Sequence, residues 1–167
     1  MILIALGSNL PSHAGAPANT LAAAINELAG SGIKIIALSP FYVTPAWPDP
    51  SDPAYVNAVA RIETMLAPEA LLGTLQRTEQ RFGRARGRPN APRTLDLDML
   101  DYDGLIQDGP PALPHPRMHD RGFVLVPLGD VAPRWRHPVS QTTVEEMIAA
   151  LPNSRQILAK LVPKETG

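Results

Sequence analysis

The stretch PRTLDLDML, residues 92–100, decides the fold of this chain. Successive side chains of an extended strand point to opposite faces, so Leu95, Leu97 and Met99 share one face while Asp96 and Asp98 share the other. A strand of this kind packs its apolar face on a core. We therefore predict a half-buried strand here, whose second face carries two carboxylates.

Upstream of this strand, the hydrophobic pattern switches between the two-residue period of strands and the 3.6-residue period of helices. Pro68 stands at the start of the second predicted helix and Gly83 just past its end, where these residues are favoured. The predicted elements are a strand at 2–6, a helix at 17–29, strands at 33–44 and 55–63, and a helix at 68–82.

Together with the strand at 92–100, these elements give the order β-α-β-β-α-β. This order is typical of a ferredoxin-like α+β fold with a mostly antiparallel sheet and helices on one face. Pro40, inside the predicted strand at 33–44, indicates a bulge or an edge position. Beyond residue 100 we expect a short hairpin around 102–104 and one or two further helices. Residues 139–167 are interpreted as structural, without a role in chemistry.

The composition suits one domain that spans residues 1–167, with 44% hydrophobic and 19% charged residues. A net charge of −1 argues against a general nucleic-acid or membrane-surface binder. The chain has no cysteine, which excludes disulfides and thiolate metal sites and fits a reducing cytosol. The apolar start of the chain stops at Gly7, too early for a signal peptide. We expect a cytoplasmic monomer that binds neither nucleic acid nor membrane.

The aspartate pair has two readings. The attachment points of Asp96 and Asp98 are about 6.5–7 Å apart in an extended strand, so their carboxylates can converge on one or two divalent ions, and oxygen ligands suit Mg²⁺. A solvated strand face also produces D-x-D, and for a bare motif that reading is the more frequent one. The arginines upstream and the PHPRMHDRGF stretch at 114–123 favour the interpretation as a cation site over that of a solvated strand face.

Arginines cluster just before this strand. Six of the twelve in the chain lie between Arg77 and Arg93, whereas the chain has three lysines. Arginine binds phosphate and carboxylate in a planar, bidentate manner. Arg77 and Arg81 fall on the predicted helix and read as surface residues. The other four arginines lie in the predicted loop, which is equally compatible with a solvated surface loop and with a mobile lid over phosphates. They are Arg84, Arg86, Arg88 and Arg93.

Three aromatic residues and one amide form a second candidate group. Tyr55 and Asn57 share one face of the predicted strand at 55–63, and together with Trp47 and Phe123 they could form a flat slot with a polar end. Asn57 offers a donor and an acceptor to the edge of a heterocycle. The alternative is that these aromatics are ordinary core residues. His115 is either a phosphate donor or a structural hydrogen-bonding group.

Five stretches carry a resemblance to a known family. They are GSNL (7–10), FYVTPAWPDPSDPAYVNAV (41–59), LLGTLQRTEQRFGRAR (71–86), PRTLDLDML (92–100) and PHPRMHDRGFVLVPL (114–128). In these stretches the chain resembles the 6-hydroxymethyl-7,8-dihydropterin pyrophosphokinases of folate biosynthesis. The resemblance implies the transfer of a pyrophosphoryl group from ATP to the hydroxymethyl group of the pterin, with release of AMP.

The resemblance also implies roles for particular residues. Asp96 and Asp98 would hold two Mg²⁺ ions and would act in catalysis with Arg84 and Arg93. The pterin would stack between Tyr55 and Phe123, and the other residues of its pocket would be Gly7, Thr44, Pro45, Trp47 and Asn57. The ATP-binding residues would be Gln76, Glu79, Arg86, Arg93, His115 and Arg121, with Arg84 and Arg86 acting from a mobile loop.

Some positions depart from this family pattern. Trp47 stands where a smaller aliphatic residue can follow the T-P-x step, and Pro89 and Asn90 replace a tryptophan of some members. Pro110 and Ala112 stand where some members use polar ATP contacts. These departures predict a different wall of the pterin pocket and a different closure of the arginine loop.

Two other functions fit parts of the pattern. A non-catalytic ligand- or RNA-binding module would explain the fold and the aromatics, but two carboxylates on the binding face would repel nucleic-acid phosphates. A metal-dependent nucleotidyltransferase would use the same acid pair and would release pyrophosphate instead of AMP.

Overall fold

The computed structural model describes residues 1–85, 87–156 and 159–161. Its strands are β1 (Ile2–Ser8), β2 (Ile33–Leu38), β3 (Tyr42–Thr44), β4 (Tyr55–Thr64), β5 (Asp96–Tyr102) and β6 (Ala159–Lys160). Its α-helices are α1 (Pro17–Gly30), α2 (Pro68–Arg81), α3 (Gly122–Val131), α4 (Val144–Ala150) and α5 (Asn153–Gln156), and a 3-10 turn spans Met118–Asp120. None of the helices in these ranges is long and apolar enough to cross a membrane.

The strands form one sheet in the order β5-β1-β4-β3-β6, and β2 also pairs with β4. All the described pairings are antiparallel. Each helical connection between sheet strands therefore skips one position, which is the split βαβ arrangement of a ferredoxin-like fold. The prediction of the α+β fold is confirmed, and β5 is the edge strand beside β1.

The predicted strand at 33–44 is two strands in the structure, with a break at Pro40. Proline has no amide hydrogen to donate to the ladder. Ser39 maintains the connection to β4, since its backbone nitrogen donates to the Val59 carbonyl and its hydroxyl accepts from the Val59 amide, each at 3.0 Å. The structure therefore corrects the prediction of one strand over 33–44, and it places Pro40 in a break between two strands where a bulge or an edge position was expected.

One face of the sheet packs on α1 and α2. The larger core lies between this face and the two helices. Its strand residues alternate along the sequence, as the period of two requires. From β1 and β4 these residues are Ile2, Ile4, Leu6, Val56, Ala58, Ala60 and Ile62, and from β5 they are Leu97 and Met99. Both helices begin with a proline at their first turn, where the missing amide hydrogen costs nothing.

The opposite face is also covered, which corrects the prediction that the helices lie on one face. Leu3, Val59 and Leu100 point to this side and pack against α3 and α4. The helix α3 buries residues on most of its circumference, so apolar residues stand on nearly all its sides and its sequence shows little amphipathic periodicity. Covering by α3 is incomplete, and part of this face stays open beside the start of the helix.

The region after β5 differs from the predicted hairpin around 102–104. The chain turns there, with the Leu105 amide bonded to the Tyr102 carbonyl at 2.9 Å, and a single bridge joins Gln107 to Leu113. The C-terminal part adds α5 near the start of α3, and then β6, which pairs with β3 at the edge of the sheet. The C-terminal part therefore contacts the start of α3 through α5 and the β3 edge of the sheet through β6.

Candidate active site

The open part of the sheet face is the floor of a cavity of about 550 Å³. Neighbouring strands contribute Gly7 from β1, Asn57 from β4, and Asp96 and Asp98 from β5. The residues at the start of α3 form one wall, and the segment that follows β3 forms another. The cavity therefore exists because α3 begins part-way along the sheet.

Gly7 keeps the centre of this floor flat. It pairs with Asn57 on one side and with Asp96 on the other. A β-carbon at this position would stand 3.0 Å from Asn57 Oδ1, 3.8 Å from Tyr55 Cδ1 and 4.0 Å from Asp96 Cβ. Any larger residue would intrude between the amide and the acid pair, so the glycine here is required for space and not for its backbone angles.

Asp96 is held by two arginines. Arg84 Nη1 lies 2.5 Å from Asp96 Oδ1, and Arg93 Nη1 lies 3.1 Å from Asp96 Oδ2. Arg93 is fixed in turn by Asn9, whose side-chain oxygen accepts from the Arg93 amide at 2.8 Å. Asn9 also donates to the Pro53 carbonyl at 3.0 Å. Asn9, the first residue after β1, therefore positions the arginine that precedes β5.

Glu79 lies behind the acid pair, on α2. Its Oε1 accepts from the amide of Leu97 at 2.7 Å and from Arg84. Because β5 is an edge strand, this amide faces outward and has no strand to pair with. Burial raises the pKa of Glu79 to about 7, although the Leu97 amide and Arg84 oppose the rise. Glu79 thus holds the backbone between the two aspartates.

Asp98 opens into the cavity, with 37% of its side chain exposed. The nearest groups that can donate to it are the neutral His115, with Nε2 at 3.8 Å from Oδ2, and the cationic Arg121, with Nη1 at 3.9 Å. Burial on its remaining sides and the like charge of Asp96 raise the pKa of Asp98 to about 6, and Arg121 opposes this shift. The carboxylate lacks a close cation, which is the condition in which a bound cation stabilises it most.

His115 is a neutral neighbour of Asp98. Burial and the charges of Arg121 and Arg117 lower the pKa of His115 to about 4. Its Nδ1 accepts from the Arg117 amide at 3.2 Å, so Nε2 carries the hydrogen that points towards Asp98. At neutral pH the contact with Asp98 is therefore a weak polar one and not an ion pair.

The other end of the floor is apolar with a buried amide. Asn57 is 5% exposed, and its Nδ2 donates to Thr44 Oγ1 at 2.7 Å. This contact fixes the amide so that Oδ1 faces Gly7. Tyr55, Phe123 and Trp47 line the same cavity, and Trp47 is 66% exposed at its rim. The arrangement suits a flat heterocycle with hydrogen-bonding groups on one edge.

The structure brings most of the predicted site residues together around one cavity. Those that line it are Gly7, Thr44, Pro45, Trp47, Tyr55, Asn57, Arg93, Asp96, Asp98, Arg121 and Phe123. Arg84, Glu79 and His115 lie behind this lining, in contact with the acid pair. Gln76 is exposed on α2, outside the cavity. Arg86 lies outside the described residues.

Some cavity residues were not foreseen from the sequence. They are Asn90, Arg117, Asp120, Ser154 and Arg155. Ser154 and Arg155 correct the expectation that residues 139–167 take no part in the site. Their short helix carries no motif, and its place beside α3 depends on contacts between distant parts of the chain. Arg117 and Asp120 lie in the stretch 114–123, which the sequence analysis connected with the site without giving either residue a role.

A family comparison agrees with this geometry. Residues 3–133 match the model of the family described as 7,8-dihydro-6-hydroxymethylpterin-pyrophosphokinase (HPPK). The chain belongs to the HPPK family. The match ends before α4, so α4, α5 and β6 lie outside the family-matched part of the chain.

Curated relatives support this membership. A 2-amino-4-hydroxy-6-hydroxymethyldihydropteridine pyrophosphokinase of Haemophilus influenzae is 43% identical over 144 residues, which cover 85% of this chain and 88% of the relative. Proteins of the same name in Synechocystis sp. and Methylorubrum extorquens are each 39% identical, over 73% and 91% of their lengths.

A solved structure shares the HPPK fold of this chain. The crystal structure of Plasmodium falciparum HPPK-DHPS matches with a TM-score of 0.66 at 14% identity. The match covers 87% of this chain and 40% of the Plasmodium chain. At this identity the likeness shows the ferredoxin-like fold alone.

The cavity of this HPPK-family chain fits a magnesium ion. Asp96 and Asp98 offer hard oxygen ligands on one strand face, and the raised pKa of Asp98 marks charge that a cation would compensate. In the described ranges no cluster of three or more His, Asp or Glu side chains could hold a metal. Such a pair suits Mg²⁺, which takes further ligands from phosphates and water. Both Asp96 oxygens contact arginines, which compete with a cation for this carboxylate.

The Asp98 carboxyl is expected to titrate near pH 6, well above an ordinary aspartate. Because a proton and a cation compete for the same oxygens, divalent binding should weaken as the pH falls through this value, by about tenfold per unit below it. Carboxyl carbon NMR gives the midpoint, and Mn²⁺ titration at about pH 5 and pH 7.5 gives the affinity. A midpoint near 4 with a pH-independent affinity over this range would contradict the expectation.

Proposed function

We propose that this protein transfers a diphosphoryl group from ATP to the hydroxymethyl group of 6-hydroxymethyl-7,8-dihydropterin and releases AMP. This is the pyrophosphokinase step of folate biosynthesis, the activity for which its curated relatives are named. The two substrates are small molecules, with ATP as the co-substrate.

One observation carries the proposal, namely that a single floor holds both the acid pair and the heterocycle slot. Gly7 lies between Asp96 and Asn57 in the sheet, and because it has no side chain, the space between these two residues is open. A pterin whose polar edge bonds to Asn57 therefore lies beside the position at which Asp96 and Asp98 would hold the triphosphate with its cation. This proximity supplies the orientation that converts a bimolecular reaction into an intramolecular one.

The roles of individual residues follow from their positions. We assign Asp96 and Asp98 to the magnesium, with two ions as the predicted number, and Arg84, Arg93 and Arg121 to the phosphates. A Mg²⁺ ion held by these carboxylates would offset the charge of the triphosphate and would lower the pKa of the attacking hydroxyl group. His115, neutral at pH 7, can donate one hydrogen bond to a phosphate oxygen through Nε2. Tyr55, Phe123 and Asn57 are assigned to the pterin.

Catalysis in this site is a matter of positioning and charge. Glu79, whose pKa is raised to about 7, is occupied with the Leu97 amide and Arg84 behind the acid pair. Arginines directed at the bridging oxygen and the α-phosphate would stabilise the charge that develops as AMP leaves. Gln76 and Arg86 stay predicted ATP contacts, and a monomeric state and a cytoplasmic location stay predictions from the sequence.

Product analysis tests the reaction. With ATP, Mg²⁺ and 6-hydroxymethyl-7,8-dihydropterin, we expect AMP to appear in equal amounts with a diphosphorylated pterin, measured by anion-exchange chromatography and mass spectrometry. A pterin that lacks the hydroxymethyl group is the control and should give no AMP. Release of pyrophosphate with a nucleotidylated pterin would support the nucleotidyltransferase, and ADP would indicate a simple kinase; either result would overturn the proposal.

A further inference from the structure

The C-terminal helix α5 contributes a cation to the cavity from outside the family-matched part of the chain. Arg155 lines the cavity together with Arg93, Arg117 and Arg121. The family match ends at residue 133, so nothing in the family assignment gives Arg155 a role. Its position depends on how the last described segment of this chain folds back.

The backbone of Arg155 is packed closely on the start of α3. A β-carbon on Gly122 would stand 2.1 Å from the Arg155 carbonyl oxygen, a distance that no side chain can occupy. Gly122 therefore permits the close approach of the two segments. Farther along, β6 pairs with β3, and the Leu161 amide donates to the Phe41 carbonyl at 2.7 Å. The segment is thus held at α5 by the contact with Gly122 and at β6 by the pairing with β3.

The charge of Arg155 is available to a ligand. The guanidinium donates through Nη1 to the neutral backbone carbonyl of Asp120 at 3.3 Å, and this contact orients the group without neutralising it. Asp120 directs its own carboxylate to His119, at 3.2 Å. Burial and the charge of Arg117 lower the pKa of Arg121, in agreement with an excess of positive charge on this wall.

We propose that Arg155 binds the polyphosphate of the nucleotide, alongside Arg117 and Arg121, and is a further substrate-binding residue of this chain. The inference rests on the proposed function only for the identity of the nucleotide. Three guanidinium groups on one wall, opposite a floor with two carboxylates that take a cation, match a chain of phosphates and not a neutral pterin. The C-terminal segment then acts as a wall that lengthens the phosphate subsite.

Substitution of Arg155 by methionine tests the proposal, because methionine keeps much of the aliphatic stem and removes the charge. We expect ATP and inorganic tripolyphosphate to bind about tenfold more weakly in calorimetric titrations, since one charge-assisted contact is lost. Pterin affinity should stay within about twofold, and KM for ATP should rise more than kcat falls. Arg155→Lys should keep part of the affinity.

Arg134→Met is the matched control, as Arg134 is an exposed arginine that does not line the cavity. It should bind tripolyphosphate like the parent protein. Unchanged tripolyphosphate affinity in Arg155→Met, or a loss confined to the pterin, would overturn the proposal. Tripolyphosphate binding requires no turnover, so this test decides the role of Arg155 even where the AMP assay contradicts the proposed function.

Discussion

Replacement of Asp98 by asparagine is expected to lower AMP release by about a thousandfold and to leave the fold intact. Asparagine keeps the size of the side chain and removes the negative charge, whose repulsion by Asp96 contributes to the raised pKa of Asp98. Within the described part of the chain, the Asp98 carboxylate makes no hydrogen bond to the backbone like that of Glu79, so stability should change little. Turnover under saturating ATP and pterin, together with the melting temperature, measures both effects.

Asp103→Asn is the control for this experiment. Asp103 follows the same strand, but it pairs with the N-terminal ammonium group of Met1, away from the cavity. Its replacement should leave AMP release unchanged. If Asp98→Asn retained near-normal turnover, the assignment of the acid pair to the cation would fail. If it lost activity only by unfolding, the melting temperature would fall with it, and the side chain would be structural.

The same strand shows where sequence analysis of the site reaches its limit. Asp96, Asp98 and Asp101 lie within six residues, and all three are carboxylates in an apolar run. Asp101 is buried, and it accepts from Trp135 Nε1 at 2.8 Å and from the Gly104 amide at 3.0 Å. A strict period of two would put Asp101 on the face opposite to Asp96 and Asp98, but the register of β5 against β1 shifts after Met99, and Asp101 faces Trp135 in the second core. Neither this shift nor the contact with the distant Trp135 is visible in the local sequence.

Local patterns predicted those parts of the fold that local physics determines. The alternation of Val56 and Ala58 with Tyr55 and Asn57 placed each residue on its observed face, because a strand has a period of two. The bounds of α1 and α2 were predicted within a residue, since a proline marks each start. The floor of the cavity follows directly from these strand faces.

Contacts between distant segments determine the remainder. The second helical layer was not predicted, because α3 is apolar on most sides and shows no face that would place it on the sheet. The role of Glu79 depends on β5 being an edge strand with an outward amide. The place of Arg155 depends on a glycine, Gly122, more than thirty residues earlier in the chain. Each of these features depends on tertiary contacts, which leave no periodic pattern in the sequence.

Replacement of Arg84 by methionine is expected to change turnover and cation binding in opposite directions. Arg84 bonds to Asp96 and Glu79, so in this state its positive charge lies where a divalent ion needs an oxygen. Its removal should strengthen Mn²⁺ binding by about fivefold, because a competing cation is lost. AMP release should fall by about a hundredfold, since the same arginine is assigned to the departing phosphates. Titration with Mn²⁺ and steady-state kinetics give the two values.

Arg81→Met separates this effect from a general loss of positive charge. Arg81 lies three residues before Arg84, is exposed, and pairs with Glu27 at 2.9 Å outside the cavity. It should leave both Mn²⁺ affinity and turnover unchanged. Were Arg84→Met to weaken Mn²⁺ binding and turnover together, the arginine would be ordering the acid pair for the cation and not competing with it. Opposite changes would instead mean that Arg84 competes with the cation for Asp96 and contributes to turnover by a separate contact, as its assignment to the phosphates requires.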